Sequence, residues 1–151
     1  GSPQASIMFI GEGPGKEEDK QARPFVGRAG QLLNRNLESL GLERKGVFIT
    51  NVVKCRPPDN RTPTQEEIRT GKQLLHKEIE IVEPEVICAL GSTALRCLFE
   101  ENIKISQIRG KTKTYQGVPV IPTYHPAYIL RNPNAAETFK KDIKRAQQIA
   151  S

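Results

Sequence analysis

Four short runs of apolar, largely β-branched residues punctuate this chain, and after each one the apolar positions switch to recurring every three or four residues. The runs are Ile7 to Ile10, Val47 to Val53 with Thr50 and Asn51 inside it, Val86 to Leu90, and Val118 to Thr123. Near-continuous apolar runs fit strands covered on both faces, as in a parallel sheet. Thr112 to Tyr115 is placed to pair with the last run across a Gln116-Gly117 turn. Between the runs, Ala29, Leu32, Leu33, Asn36, Leu37 and Leu40 fall at helical spacing, with Gly41 as the C-cap. Thr64-Gln65-Glu66-Glu67 reads as a capping box opening a helix with Ile68, Leu75, Ile79 and Val82 on one face, and Pro84 stops it. Ser92 is placed to cap a short helix carrying Leu95, Leu98 and Phe99, and Phe139, Ile143, Ala146 and Ala150 stripe a last helix. This alternation predicts an α/β fold: a three-layer sandwich around a central, mostly parallel four-stranded sheet, with right-handed crossovers. The length of 151 residues suits a single domain over 1–151, in which Gly1-Ser2 reads as a cloning scar.

In open α/β sheets, ligands sit at the carboxyl ends of the strands. Here those ends deliver Glu12, Asn51, Gly91-Ser92 and Thr123-Tyr124-His125-Pro126. Glu12 lies between two glycines in Gly11-Glu12-Gly13-Pro14-Gly15; it either accepts hydrogen bonds from loop amides or orients a water. Gly13 lets the backbone approach a ligand closely. The spacing is not that of a dinucleotide-binding loop, and Pro14 removes an amide donor. Phe25, between Pro24 and Val26-Gly27, is either core or a ring for stacking. Asn51 interrupts an apolar strand, so its carboxamide either ties down a loop or reads a ligand; its donor-acceptor pair matches O4 and N3–H of uracil. His125, one of two histidines, is either structural or a donor to a carbonyl on which charge develops. The other, His76, receives no role.

Charge points to the class of ligand. The chain holds 23 basic and 17 acidic residues, a net charge of +6. The bases gather near predicted loops: Lys54, Arg56 and Arg61, then Arg109, Lys111 and Lys113, then Arg131. Such loops favour a polyanion, and a phosphate backbone leads. No apolar run approaches the roughly 18 residues that span a membrane, and no secretory signal is visible. Cys88 and Cys97 read as buried thiols of a reducing cytoplasm, while Cys55 lies beside Lys54 and Arg56.

Together these residues resemble the family 4 uracil-DNA glycosylases. The resemblance rests on Gly11-Glu12-Gly13-Pro14-Gly15, Glu18-Asp19, Pro24-Phe25-Val26-Gly27-Arg28-Ala29-Gly30, Thr50 to Pro58, Ala89 to Ala94, and Thr123-Tyr124-His125-Pro126-Ala127-Tyr128. It implies a monofunctional DNA repair enzyme that hydrolyses the N-glycosidic bond of uracil in DNA and leaves an abasic site. By resemblance, Glu12 and Gly13 position the attacking water, Phe25 stacks on the flipped uracil, and Asn51 reads its edge. His125 hydrogen-bonds to O2 of the leaving base, and Glu18 crowds the C5 side against thymine. The segment from His125 to Arg131 enters the duplex, so Tyr128 and Arg131, with Arg56 and Arg61, are expected DNA contacts. The protein is expected to be a monomer in the cytoplasm, with uracil-containing DNA as its partner and no membrane association.

The sequence also departs from the family. The family usually carries a [4Fe–4S] cluster on four cysteines. Two form an N-terminal C-x-x-C that this chain lacks, the third corresponds to Cys55, and the fourth falls on Gly71. Three of four ligands are absent, so no cluster and no other cofactor is expected, with the Thr64 capping box and the helix core replacing it. Ala22 stands where the family usually has glycine. The other readings are a glycosylase-like DNA-binding domain without cleavage activity, a related glycosylase of altered base preference such as hypoxanthine, and one that attaches covalently to its product site. The last needs a histidine-bearing insertion after Pro24-Phe25, and none is visible.

Overall fold

The computed structural model describes residues 5–11, 27–42, 46–51, 65–99, 104–109 and 111–150. Among these residues five strands form one sheet in the order β2-β1-β3-β5-β4, where β1 is Ile7–Gly11, β2 is Phe48–Asn51, β3 is Val86–Leu90, β4 is Lys113–Tyr115 and β5 is Val118–Thr123. β1, β2, β3 and β5 run parallel, as the apolar runs predict. The expected count of four becomes five because β4 pairs antiparallel with β5. The pairing of Thr112 to Tyr115 with the last run, expected from the sequence, is observed over Lys113–Tyr115, though this Lys-Thr-Tyr segment is too short and polar to count among the apolar runs. The turn between them does carry the signal: Gln116 and Gly117 both have positive φ, 50° and 84°, which suits a two-residue hairpin following the sheet's twist.

Helices cover both faces, giving the predicted three layers. Ile7, Phe9, Ile49, Val86, Cys88, Leu90 and Ile121 turn to one side, against Leu33 and Leu37 of α1 (Arg28–Ser39) and Phe139, Ile143 and Ala146 of α6 (Ala136–Ala150). Met8, Ile10, Ile87, Ala89 and Val120 turn to the other, against Leu75 and Ile79 of α2 (Gln65–Val82) and Leu95 and Leu98 of α3 (Ser92–Phe99). The period-two alternation of strand side chains thus sorts each run between two cores. Two further short helices, α4 (Ile105–Ile108) and α5 (Pro126–Arg131), span too few residues for periodicity to reveal.

Helix ends follow the sequence signals. Gly41, at φ 77°, closes α1: its N–H donates to the Glu38 carbonyl and that of Leu42 to the Leu37 carbonyl, so two end carbonyls are satisfied at once. α2 ends at Val82, two residues before Pro84. Ser92 is the first residue of α3 rather than the residue before it, because the chain turns one position earlier, at Gly91. Thr64 and its expected cap lie outside the described residues.

Candidate functional site

The parallel ladder aligns the strand ends that the sequence nominates. Gly11 is the register partner of Asn51, and Leu90 that of Thr123. Asn51 ends β2, Gly11 ends β1, Gly91 follows β3, and His125 follows β5 by two residues, so one sheet edge carries all four. Glu12 comes next in the chain after Gly11 and lies outside the described residues.

Asn51 is only 6% exposed, and its Oδ1 is the one buried side-chain oxygen or nitrogen without a hydrogen-bond partner among the described residues. An unpaired carbonyl of this kind costs roughly 1–3 kcal/mol, so an acceptor left open at a ligand-binding edge favours a donor from the ligand. Within the described residues nothing ties it to a neighbouring loop.

His125 is held by its own backbone. It precedes α5 with Pro126 at the first helical position, and its Nδ1 accepts from the Ala127 N–H at 3.0 Å. A ring nitrogen that accepts carries no proton, so the neutral imidazole has its proton on Nε2. Gly91 sets the ring's place from the other side. At φ 94° it occupies backbone that L side chains rarely adopt, and an added Cβ would lie 3.2 Å from the Cβ of His125. Gly91→Ala is therefore expected to displace the His125 turn and cost about 1–2 kcal/mol of stability, read by denaturant unfolding.

A cleft of about 350 Å³ opens beside this turn, lined in part by Gly91, Ser92, Thr93, His125, Tyr128 and Arg131. The Tyr124 and Tyr128 rings stack 4.6 Å apart at 14°, and Tyr128 and Arg131 are exposed. They form a flat aromatic step with a cation beyond it, next to the histidine.

The family model described as Uracil DNA glycosylase superfamily matches residues 1–148. The chain belongs to the uracil-DNA glycosylase superfamily. It is 46% identical over 159 residues to the Type-4 uracil-DNA glycosylase of Sulfurisphaera tokodaii, covering 99% of this chain and 72% of that protein. It is 52% identical over 134 residues to the Type-4 uracil-DNA glycosylase of Thermotoga maritima, covering 87% of this chain and 70% of that protein. It is also 32% identical over 145 residues to a DNA polymerase of Bacillus phage SP01, covering 95% of this chain but 16% of the polymerase. The motif resemblance to family 4 therefore extends along nearly the whole chain.

Of the glycosylase residues nominated from sequence, the structure describes Asn51, His125, Tyr128 and Arg131. Glu12, Gly13, Glu18, Phe25, Cys55, Arg56 and Arg61 lie outside the described residues, as do Lys54 and Ala22. Two bases assigned to a polyanion are engaged within the fold. Arg109 donates from Nε and NH2 to Asp142 at 3.1 and 3.0 Å, which raises its guanidinium above the ordinary value. Lys113 Nζ sits 4.7 Å over the Phe99 ring. His76 contacts Glu80 at 2.9 Å and Tyr115 Oη at 3.4 Å, away from the strand ends. The pattern of apolar and polar positions did not single out Asp142. Its signal was a carboxylate on the buried stripe of the last helix, three residues from Phe139 and adjacent to Ile143.

The described residues supply no ligand set for an iron–sulfur cluster. Gly71, where the family's fourth cysteine would fall, is buried in α2 and has no side chain to ligate iron. Cys88 and Cys97 belong to cores on opposite faces of the sheet. Burial pushes the Cys88 thiol far above its ordinary range, with the Asp142 charge adding to it, so it stays protonated rather than acting as thiolate ligand or nucleophile. No group of three or more His, Cys, Asp or Glu among the described residues could hold a metal.

Proposed function

We propose that this chain is a monofunctional uracil-DNA glycosylase, an enzyme that hydrolyses the N-glycosidic bond of uracil in DNA and leaves an abasic site. The observation that carries the reading is the buried, unpartnered Oδ1 of Asn51 at the same sheet edge as the backbone-oriented His125. The Type-4 names of the relatives agree with it.

Asn51 Oδ1 accepts the N3–H of uracil while its amide donates to O4. Cytosine, with a bare N3 and an amine at C4, offers the opposite pattern. As the C1′–N1 bond breaks, its electron pair passes into the base and charge builds on O2, where the Nε2–H of His125 donates. Water adds to C1′ and gives up its proton to Glu12, positioned with the help of the Gly13 carbonyl; Phe25 stacks on the base and Glu18 excludes a C5 methyl. Tyr128, Arg131, Arg56 and Arg61 meet the DNA around the vacated position. The chain works as a monomer in the cytoplasm and without an iron–sulfur cluster. No helix among the described residues is long and apolar enough to cross a membrane.

The test is a labelled oligonucleotide with one uracil, incubated with the protein and then treated with alkali. Breakage at uracil only after alkali is expected. Intact strands would overturn the reading, and breakage without alkali would overturn its monofunctional part. Iron and sulfide analysis of the same preparation is expected to find neither; a stoichiometric cluster would refute the cluster-free proposal. A second reading, a DNA-binding domain without cleavage, is favoured by the match to a 16% stretch of a phage DNA polymerase. Retention of the oligonucleotide with no alkali-labile site would support it.

A further inference from the structure

Among the described residues, the mechanism leaves one buried charged group unused. Asp142, on α6, is 3% exposed and sits beneath the end of β5. Its Oδ2 accepts the Thr123 hydroxyl at 2.5 Å and Arg109 Nε at 3.1 Å, and its Oδ1 accepts Arg109 NH2 at 3.0 Å. Thr123 is fully buried and stands two residues before His125. Its carbonyl also accepts the Gly91 N–H at 2.9 Å, and Gly91 is the residue packed against the His125 Cβ. One threonine is thus pinned by its side chain to α6 and by its backbone to the turn that bounds the histidine.

Burying a carboxylate costs several kcal/mol before compensation, and an apolar group of similar size is often as good for stability. A charge kept under a strand end, paired with one arginine and aimed at one hydroxyl, is better explained by geometry. We propose that Thr123 and Asp142, the latter held by Arg109, are positioning residues that fix the Tyr124-His125 turn and thereby aim the Nε2 donor. The proposal rests on the glycosylase reading for its kinetic consequence, though not for its structural one.

Displacing a catalytic group by about 1 Å costs up to roughly 100-fold in rate. Thr123→Val, which keeps volume and removes the hydroxyl, is expected to lower single-turnover excision of uracil by about 10–100-fold with the KM for DNA changed less than about twofold. Thr123→Ser, which restores the donor, is expected to return to within about threefold of wild type. Asp142→Asn is expected to fall between them. The second readout needs no substrate. The chain has two histidines, so ¹⁵N ring spectra resolve both. Thr123→Val should shift the His125 ring nitrogens away from the Nε2–H pattern and leave His76 unchanged.

Unchanged His125 signals in folded Thr123→Val and Asp142→Asn would overturn the proposal. So would unchanged excision in both variants, or a loss that Thr123→Ser does not rescue. If wild type excises nothing, the glycosylase reading fails alone, and the ring spectra still decide whether the network aims the histidine.

Discussion

Asn51→Leu is expected to remove about 10²–10⁴-fold of uracil excision under single-turnover conditions, with folding retained. Leucine keeps most of the volume of asparagine and removes both polar atoms. Two hydrogen bonds to the base are then lost, and N3–H and O4 of uracil enter a buried edge unpaired. At roughly 1–3 kcal/mol each, the loss is about 2–6 kcal/mol, or about 30- to 2 × 10⁴-fold, and the expected range falls inside it. The orphaned Oδ1 makes the prediction asymmetric: without ligand, removing an unsatisfied buried carbonyl should cost little stability and could raise it. A variant that is at least as stable yet far slower is the signature of a group kept for the ligand. Asn51→Asp supplies the selectivity test. A carboxylate accepts from the cytosine amine, so the ratio of uracil to cytosine excision on matched oligonucleotides should fall. An unchanged ratio would remove Asn51 as the reader of the base.

His125→Ala is the second large effect, an expected loss of about 10²–10³-fold in the same assay with DNA affinity largely intact. The size follows from losing one oriented donor to the oxygen on which charge accumulates. The orientation is specific to this fold: the Ala127 N–H occupies Nδ1 at 3.0 Å, leaving the proton on Nε2. A neutral donor of this kind stabilises charge without first being protonated. Equal excision rates in wild type and His125→Ala, measured with enzyme in excess, would place the leaving-group donor elsewhere.

Much of this was legible because parallel strands leave strong marks. Val86 to Leu90 and Val118 to Thr123 match the observed strands residue for residue, since burial on both faces forces an unbroken apolar run. The edge position of Asn51 and His125 follows from strand order and direction, which the alternation of runs and helical stripes already implies. What the pattern hid had physical reasons. α5 is a six-residue helix set by Pro126 rather than by periodicity. The fate of Arg109 was also hidden, because an arginine near a loop looks alike in sequence whether it meets a phosphate or a carboxylate 33 positions away. Asp142 belongs to the same class, as a charge whose partners lie in other elements.

The strand order has a last consequence, for how the two halves of the site respond to heat. Among the described residues β2 is an outer strand of four residues with β1 as its neighbour, whereas β5 lies between β3 and β4. Outer, short elements open locally at lower free energy than inner ones. The asparagine therefore rides on the part of the sheet that loosens first, and the histidine on a part that persists. Warming should erode recognition of the base before it erodes assistance to its departure, and amide exchange at Thr50 and Asn51 should outpace that at Ile121 and Thr123.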